Sequence, residues 1–141
     1  RYTILNQKWR SPLEKRSAWH MAQELDVARM NRASQCLVGT HDFRTFGRPP
    51  QGENTVRTIT STEWRHREPF FTFDIKANAF LYRMVRSIVG MLVLVGSNQI
   101  TGEDLDAILQ ARDRSLIRQV APAHGLCLMR VDYAKCEGVM Q

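Results

Sequence analysis

Sixteen of the twenty basic residues in this 141-residue chain are arginines. A guanidinium fork meets two phosphate oxygens at once and also stacks on bases. Arg44, Arg48 and Arg57 lie in or just beyond a segment, His41 to Asn54, that also holds Phe43 and Phe46. These residue types together suit a nucleic acid. Arginine takes the phosphates, and an aromatic face stacks on a base for about 1–3 kcal/mol. The competing use is structural, with the phenylalanines pinning the loop to the core and the arginines in solvent. Arg83 is open to the same two readings. Arg86 shares the polar side of its helix with Tyr82 and Gly90; by position alone it is a surface cation or a partner of Asp74 or Asp132. Asp42 reads as a loop or cap acceptor, not as an acid catalyst. Metal chemistry lacks its ligands. Cys36, Cys127 and Cys136 form no CxxC pair, and His20, His41, His66 and His124 are scattered. Neither a metal site nor a disulfide framework is expected, and reduced thiols suit a cytoplasmic protein.

Charge points the same way. The formal net charge is +6, but residues 1–70 carry +5 of it and residues 71–141 only +1. A basic, arginine-rich half is compatible with RNA or DNA. With 43% hydrophobic and 24% charged residues, the chain is an ordinary globular one. The longest apolar run, Ile88 to Gly96, is far short of the roughly 20 residues a membrane span needs, so no membrane role is expected.

The elements that must position these residues follow from patterning. Tyr2 to Asn6 reads as a strand. Asp26 is a good N-cap for a helix over Val27 to Val38, with Gly39 as its stop. A long loop, His41 to Asn54, follows. Val56 to His66 and Phe70 to Lys76 read as a hairpin around Arg67-Glu68-Pro69. Phe80 to Ser97 reads as one long helix whose apolar arc includes Met84, Ile88, Met91, Leu92 and Val95. Arg86 would then lie two turns into it. Thr101 and Asp104 form a capping box for a helix over Gly102 to Ala111. Leu126 to Asp132 reads as a last strand. The order β-α-β-β-α-(α)-β is a ferredoxin-like α+β arrangement, an antiparallel sheet with helices on one face and the other face free.

Four stretches, in order, carry a resemblance. Ala79 to Gly90 (AFLYRMVRSIVG) has a small residue, Phe-Leu, two variable positions, Met-Val-Arg, two more, then Val-Gly. Arg1-Tyr2, Leu37 to Phe46 (LVGTHDFRTF) and Ala121 to Tyr133 (APAHGLCLMRVDY) complete the set. Together they resemble the C-terminal half of the tRNA pseudouridine synthase A family. The resemblance implies isomerisation of uridine to pseudouridine in the tRNA anticodon stem-loop by a homodimer, without cofactor or metal. It makes Arg86 the partner of a catalytic Asp, and a guanidinium within about 4–6 Å would keep such a carboxylate ionised. It makes Leu126 the aliphatic residue that packs on the target nucleotide. The family's Asp lies in an Arg-Thr-Asp-Ala-Gly motif that this sequence does not contain, and a Tyr of its active site falls one residue before Arg1. The expectation is therefore an N-terminal half that supplies the acid, a chain inactive alone, and an apolar sheet face waiting for that half.

Two other functions compete. One is a free-standing ferredoxin-like RNA-binding module without catalysis, against which Thr72 to Ala77 lacks the aromatic pattern such modules carry on a central strand. The other is a dimerisation domain with no RNA role, which leaves the basic half unexplained.

Overall fold

A computed structural model of the chain describes residues 1–8 and 17–129. Strands β1 (Tyr2–Asn6) and β2 (Trp19–Met21) precede helix α1 (Val27–Ser34). Strands β3 (Gly39–Asp42), β4 (Val56–Arg67) and β5 (Phe70–Ala77) follow, then helices α2 (Met84–Gly96) and α3 (Gly102–Ala111). One sheet has the order β2-β1-β5-β4-β3. The hairpin β4–β5 forms its centre, with Trp64 opposite Phe73 and Arg67 opposite Phe70. β1 runs antiparallel to β5, with Tyr2 opposite Phe73. The pair β1–β2 is parallel, so the sheet is mixed and not purely antiparallel as expected.

Alternation decides which face is buried. Tyr2, Ile4, Ile59, Trp64, Phe71 and Phe73 point to the helical side and are at most 2% exposed. Trp64 and Phe73 stack with centroids 4.8 Å apart. Against this face lies α2, in which Met84 and Ile88 through Val93 are all buried. Burying each large apolar side chain contributes about 1.5–3 kcal/mol. Thr3, Glu63, Arg65, Thr72 and Asp74 alternate with the core residues and line the other face, with Leu5 and Phe70 apolar at one end. The apolar, unfinished face expected from the sequence is thus a polar one.

β4 outruns its neighbour, because β3 covers only Val56 to Ile59. Backbone groups beyond that edge need other partners. Asn31 of α1 supplies them at Trp64, its Oδ1 accepting from the Trp64 N–H at 2.8 Å and its Nδ2 donating to the Trp64 carbonyl at 3.1 Å. The side-chain amide substitutes for a strand residue and fixes α1 to the sheet.

Several boundaries move. The Asp26 cap holds, accepting from Ala28 and Arg29, but α1 ends at Ser34 and the expected tail tightens into a 3₁₀ turn at Gln35–Leu37. The long loop opens with strand β3. The capping box at Thr101 and Asp104 is present. The long helix begins at Met84, not Phe80, because Arg83 takes a left-handed conformation with φ 66. Arg86 is therefore in the first turn. Of the expected last strand, Leu126 forms one antiparallel bridge to Tyr2 and no strand follows through Met129; residues 130–132 lie outside the described residues. That bridge stands where the last strand of a ferredoxin-like sheet would lie, beside β1.

Candidate functional site

The site is built where α2, β1 and the segment 118–127 meet. Gly90 makes the approach possible, since a Cβ there would run into the Gln119 carbonyl. Gln119 donates from Nε2 to the Gly90 carbonyl at 3.1 Å. One turn back, the Ala121 N–H donates to the Arg86 carbonyl at 2.9 Å, and Arg86 Nε donates to the Ala121 carbonyl at 2.8 Å. The next residue, Pro122, accepts the Tyr2 hydroxyl at 2.6 Å. The chain then turns through Ala123–Gly125 and presents Leu126, 41% exposed, beside Tyr2. Cys127 closes the segment, its N–H donating to the Arg1 carbonyl at 2.9 Å.

Arg86 is thus held in place through Nε by a backbone carbonyl. Among the described residues no carboxylate lies within 4.0 Å of it. Asp74, one partner weighed for it, is taken by Arg1 at 2.9 and 3.2 Å; Asp132 lies outside the described residues. An unpaired cation in a first helical turn opposes the helix dipole by about 0.3–1 kcal/mol. Burial pushes the Tyr2 hydroxyl well above its usual value, with the positive charge of Arg86 opposing. The phenol therefore stays protonated and acts as a fixed donor to Pro122.

A second group of cations gathers at the same end of α2. Arg48 and Tyr82 form an antiparallel bridge, with Tyr82 N–H donating to the Arg48 carbonyl at 2.7 Å. Gly47 lets the two segments touch, because a Cβ there would meet the Tyr82 carbonyl at 2.5 Å. The guanidinium carbons of Arg48 and Arg83 lie 5.6 and 5.4 Å from the Tyr82 ring centroid. The left-handed backbone at Arg83 costs about 1–2 kcal/mol in a non-glycine residue. Tyr82 is 52% exposed. Its hydroxyl is held below the usual 10.0, chiefly by the Arg83 guanidinium beside it, with Arg86 and Arg48 adding positive charge.

The structure brings Arg86, Leu126, Arg48 and Arg83 to one end of the molecule. It does not bring the other candidates there. Phe43 is fully buried and Phe46 is 1% exposed, the two rings packing at 6.4 Å. As placed, Phe43 pins the loop to the core and cannot stack on a base, so that expectation is corrected. Arg57 lies at the outer β3–β4 edge, where its Nη1 donates to the Asn54 and Val56 carbonyls at 2.9 and 2.8 Å. Its guanidinium serves the loop. Arg44 is exposed in the turn after β3. Asp42 is the loop acceptor expected of it, taking Thr55 Oγ1 at 2.5 Å and the Arg44 N–H at 3.0 Å. Cys36 is half-buried and its thiol is pushed up to about 11 by burial. No metal-binding cluster of His, Cys, Asp or Glu occurs among the described residues. Sequence reasoning missed Tyr82. Its pairing with Arg83 is visible locally, but Arg48 reaches it from far along the chain through a backbone bridge that no local pattern announces.

The α+β sheet domain thus sets an anchored Arg86, with no carboxylate within 4.0 Å among the described residues, on the same segment as the exposed Leu126 and at the same helix end as a tyrosine flanked by two arginines. Comparison with known proteins names the class: the chain belongs to the tRNA pseudouridine synthase family, whose model matches residues 33–134. It is 43% identical to the tRNA pseudouridine synthase A of Moorella thermoacetica, over 94% of this chain and 54% of that protein. Identity is 44% to the tRNA pseudouridine synthase A of Roseiflexus castenholzii, over 94% and 50%, and 41% to that of Caulobacter vibrioides, over 94% and 54%. The chain spans about half the length of the curated relatives it matches. No helix among the described residues is long and apolar enough to cross a membrane.

Proposed function

We propose that this chain is the C-terminal half of a cytoplasmic tRNA pseudouridine synthase acting on the anticodon stem-loop. The observation that carries the reading is Arg86, anchored through Nε to Ala121, with no carboxylate near it among the described residues and with Leu126 exposed alongside. In the assembled enzyme the N-terminal half supplies an aspartate to that guanidinium. Arg86 keeps the carboxylate ionised in a pocket whose apolar walls would otherwise raise its pKa. The target uridine leaves the stack, at a cost of a few kcal/mol. The N-glycosidic bond breaks, the uracil turns, and C5 bonds to the sugar carbon while C5 loses its proton and N1 gains one. Leu126 packs on the nucleotide during this sequence. No metal or cofactor enters it, and the working unit is a homodimer. Arg44, Arg48 and Arg83 face the tRNA.

Two proteins test the reading, the full-length protein containing this chain and residues 1–141 alone. Each is incubated with unmodified tRNA and pseudouridine is counted. The full-length protein forms pseudouridine in the anticodon stem-loop and the chain alone forms none. Turnover by residues 1–141 would refute the two-halves reading. Salt-dependent tRNA binding by both proteins with turnover by neither would favour an RNA-binding module.

A further inference from the structure

We propose that Arg48 and Arg83, held by the Tyr82 ring, form a clamp for a single phosphodiester of the RNA strand that enters the site. The inference rests on the tRNA reading above and deepens it, since Tyr82 belongs to neither the Arg86 anchor nor the Leu126 contact. Three observations carry it. The two guanidiniums come from distant parts of the chain, yet both lie within 5.6 Å of one ring centroid. Both are drawn to the negative faces of the same ring. Neither guanidinium has a carboxylate within 4.0 Å among the described residues, whereas Arg1 and Arg65 on the sheet face each have one. The charge pair therefore lacks a counter-ion, and an anion that accepts from both forks supplies it.

The backbone on both sides is set before any ligand arrives. The Arg48–Tyr82 bridge and the tight Gly47 contact hold one arm's backbone. The left-handed backbone of Arg83 sets the other arm. The surface is open, with Tyr82, Arg48 and Arg83 all exposed. An open cationic surface suits a strand of a polyanion better than a free anion, which needs a cavity to enclose it. Tyr82 is a positioning residue here, acting through the two arginines.

The test uses the full-length protein and tRNA, with binding measured across salt concentrations and turnover measured separately. Each phosphate neutralised contributes about 0.9 to the slope of log K against log salt. R48Q/R83Q lowers the slope by about one phosphate's worth in total, because both arms hold the same group. KM rises about 3–10-fold, kcat stays within about twofold and the melting temperature is unchanged, the split expected when binding is lost uniformly. Y82A gives much of the same effect. Y82F keeps the ring and stays within about twofold of wild type. An unchanged slope in R48Q/R83Q overturns the clamp. A loss worth two phosphates overturns the shared-anion geometry, and Y82A equal to wild type overturns the role of the ring. The binding arm needs no turnover, so an inactive wild-type protein would refute the enzyme reading while the slopes still decide the clamp.

Discussion

Two arginines on the open sheet face are paired with carboxylates, and three gathered at the start of α2 are not. On the sheet face Arg1 pairs with Asp74 and Arg65 with Glu63, at 2.9 and 3.0 Å. At the start of α2, Arg48, Arg83 and Arg86 have no carboxylate within 4.0 Å among the described residues. The first arrangement neutralises a surface; exposed pairs of this kind contribute about 0–1 kcal/mol. The second anchors Arg86 on the Ala121 carbonyl and sets Arg48 and Arg83 beside the Tyr82 ring, with a left-handed backbone at Arg83 that costs about 1–2 kcal/mol. The two regions thus differ in how their charge is held, and the function proposed above assigns the unpaired group to the tRNA.

The sharpest way to break this comparison is to remove Arg86. In the full-length protein R86Q should lower kcat about 10²-fold or more, with tRNA affinity nearly intact. Without the guanidinium the aspartate proposed to face it would titrate higher, so the acid limb of the kcat/KM profile should shift to higher pH. R86K keeps the charge but loses the fork whose Nε holds Ala121 and leaves the other nitrogens for the proposed acid, and should recover only part of the rate. A kcat within about threefold of wild type for R86Q would remove Arg86 from the chemistry.

A second prediction concerns the rack that holds the unpaired end. G90A places a methyl group against the Gln119 backbone, so α2 and the 118–127 segment must separate. The loss of stability should be about 1–3 kcal/mol, read by denaturant unfolding, with a larger fall in activity than in stability because Ala121, Pro122 and Leu126 shift together. G52A provides the contrast. Nothing lies within 4 Å of a Cβ there, and only its φ of 71 opposes the change, so activity should hold. A G90A variant as stable and active as wild type would mean the segment is not seated as described.

This end of the molecule was only partly legible in the sequence. Caps are local, so Asp26, Thr101 and Asp104 marked their helices correctly. The hairpin was legible for the same reason. The start of α2 was not, because the left-handed turn at Arg83 accompanies the Arg48–Tyr82 bridge, a contact between distant segments, and an apolar arc cannot report it. Strands β2 and β3 are three and four residues long, too short for alternation to register. Charge counting does not locate the gathered arginines either. The first 70 residues carry most of the excess, yet two of the three gathered arginines, Arg83 and Arg86, come from the nearly neutral second half. Sequence can count cations but cannot see which carboxylates reach them. Arg86 and Leu126 are candidates through resemblance to a family alone, since helix position by itself leaves Arg86 as a surface residue.

Unmasking the paired end should have a smaller effect. E63Q/D74N frees Arg65 and Arg1 on the sheet face. If that face lies along the path of the RNA, the tRNA salt slope should rise by up to about two with turnover little changed. No change in slope would place the RNA wholly at the α2 end and sharpen the contrast between the two regions.

The smallest expected effect is the pH dependence of the Arg1–Asp74 pair itself. Arg1 holds the Asp74 carboxyl below its usual 3.8, mainly through their hydrogen bond. A depressed carboxylate pKa means the unfolded chain binds the proton more readily than the folded one. The pair therefore stabilises the fold at neutral pH, and this contribution fades as pH falls below the usual carboxylate value and through the lower folded one. Both side chains are about one-third exposed, so screening limits the contribution to about 1 kcal/mol or less. D74N should lower stability slightly at pH 7, and the gap between variant and wild type should narrow as pH falls below about 4. It should also narrow in high salt. A gap that stays constant with pH and salt would mean Asp74 acts through its hydrogen bonds and not its charge. The sheet face would then be polar without being electrostatically paired, and its contrast with the α2 end would rest on Arg65 and Glu63 alone.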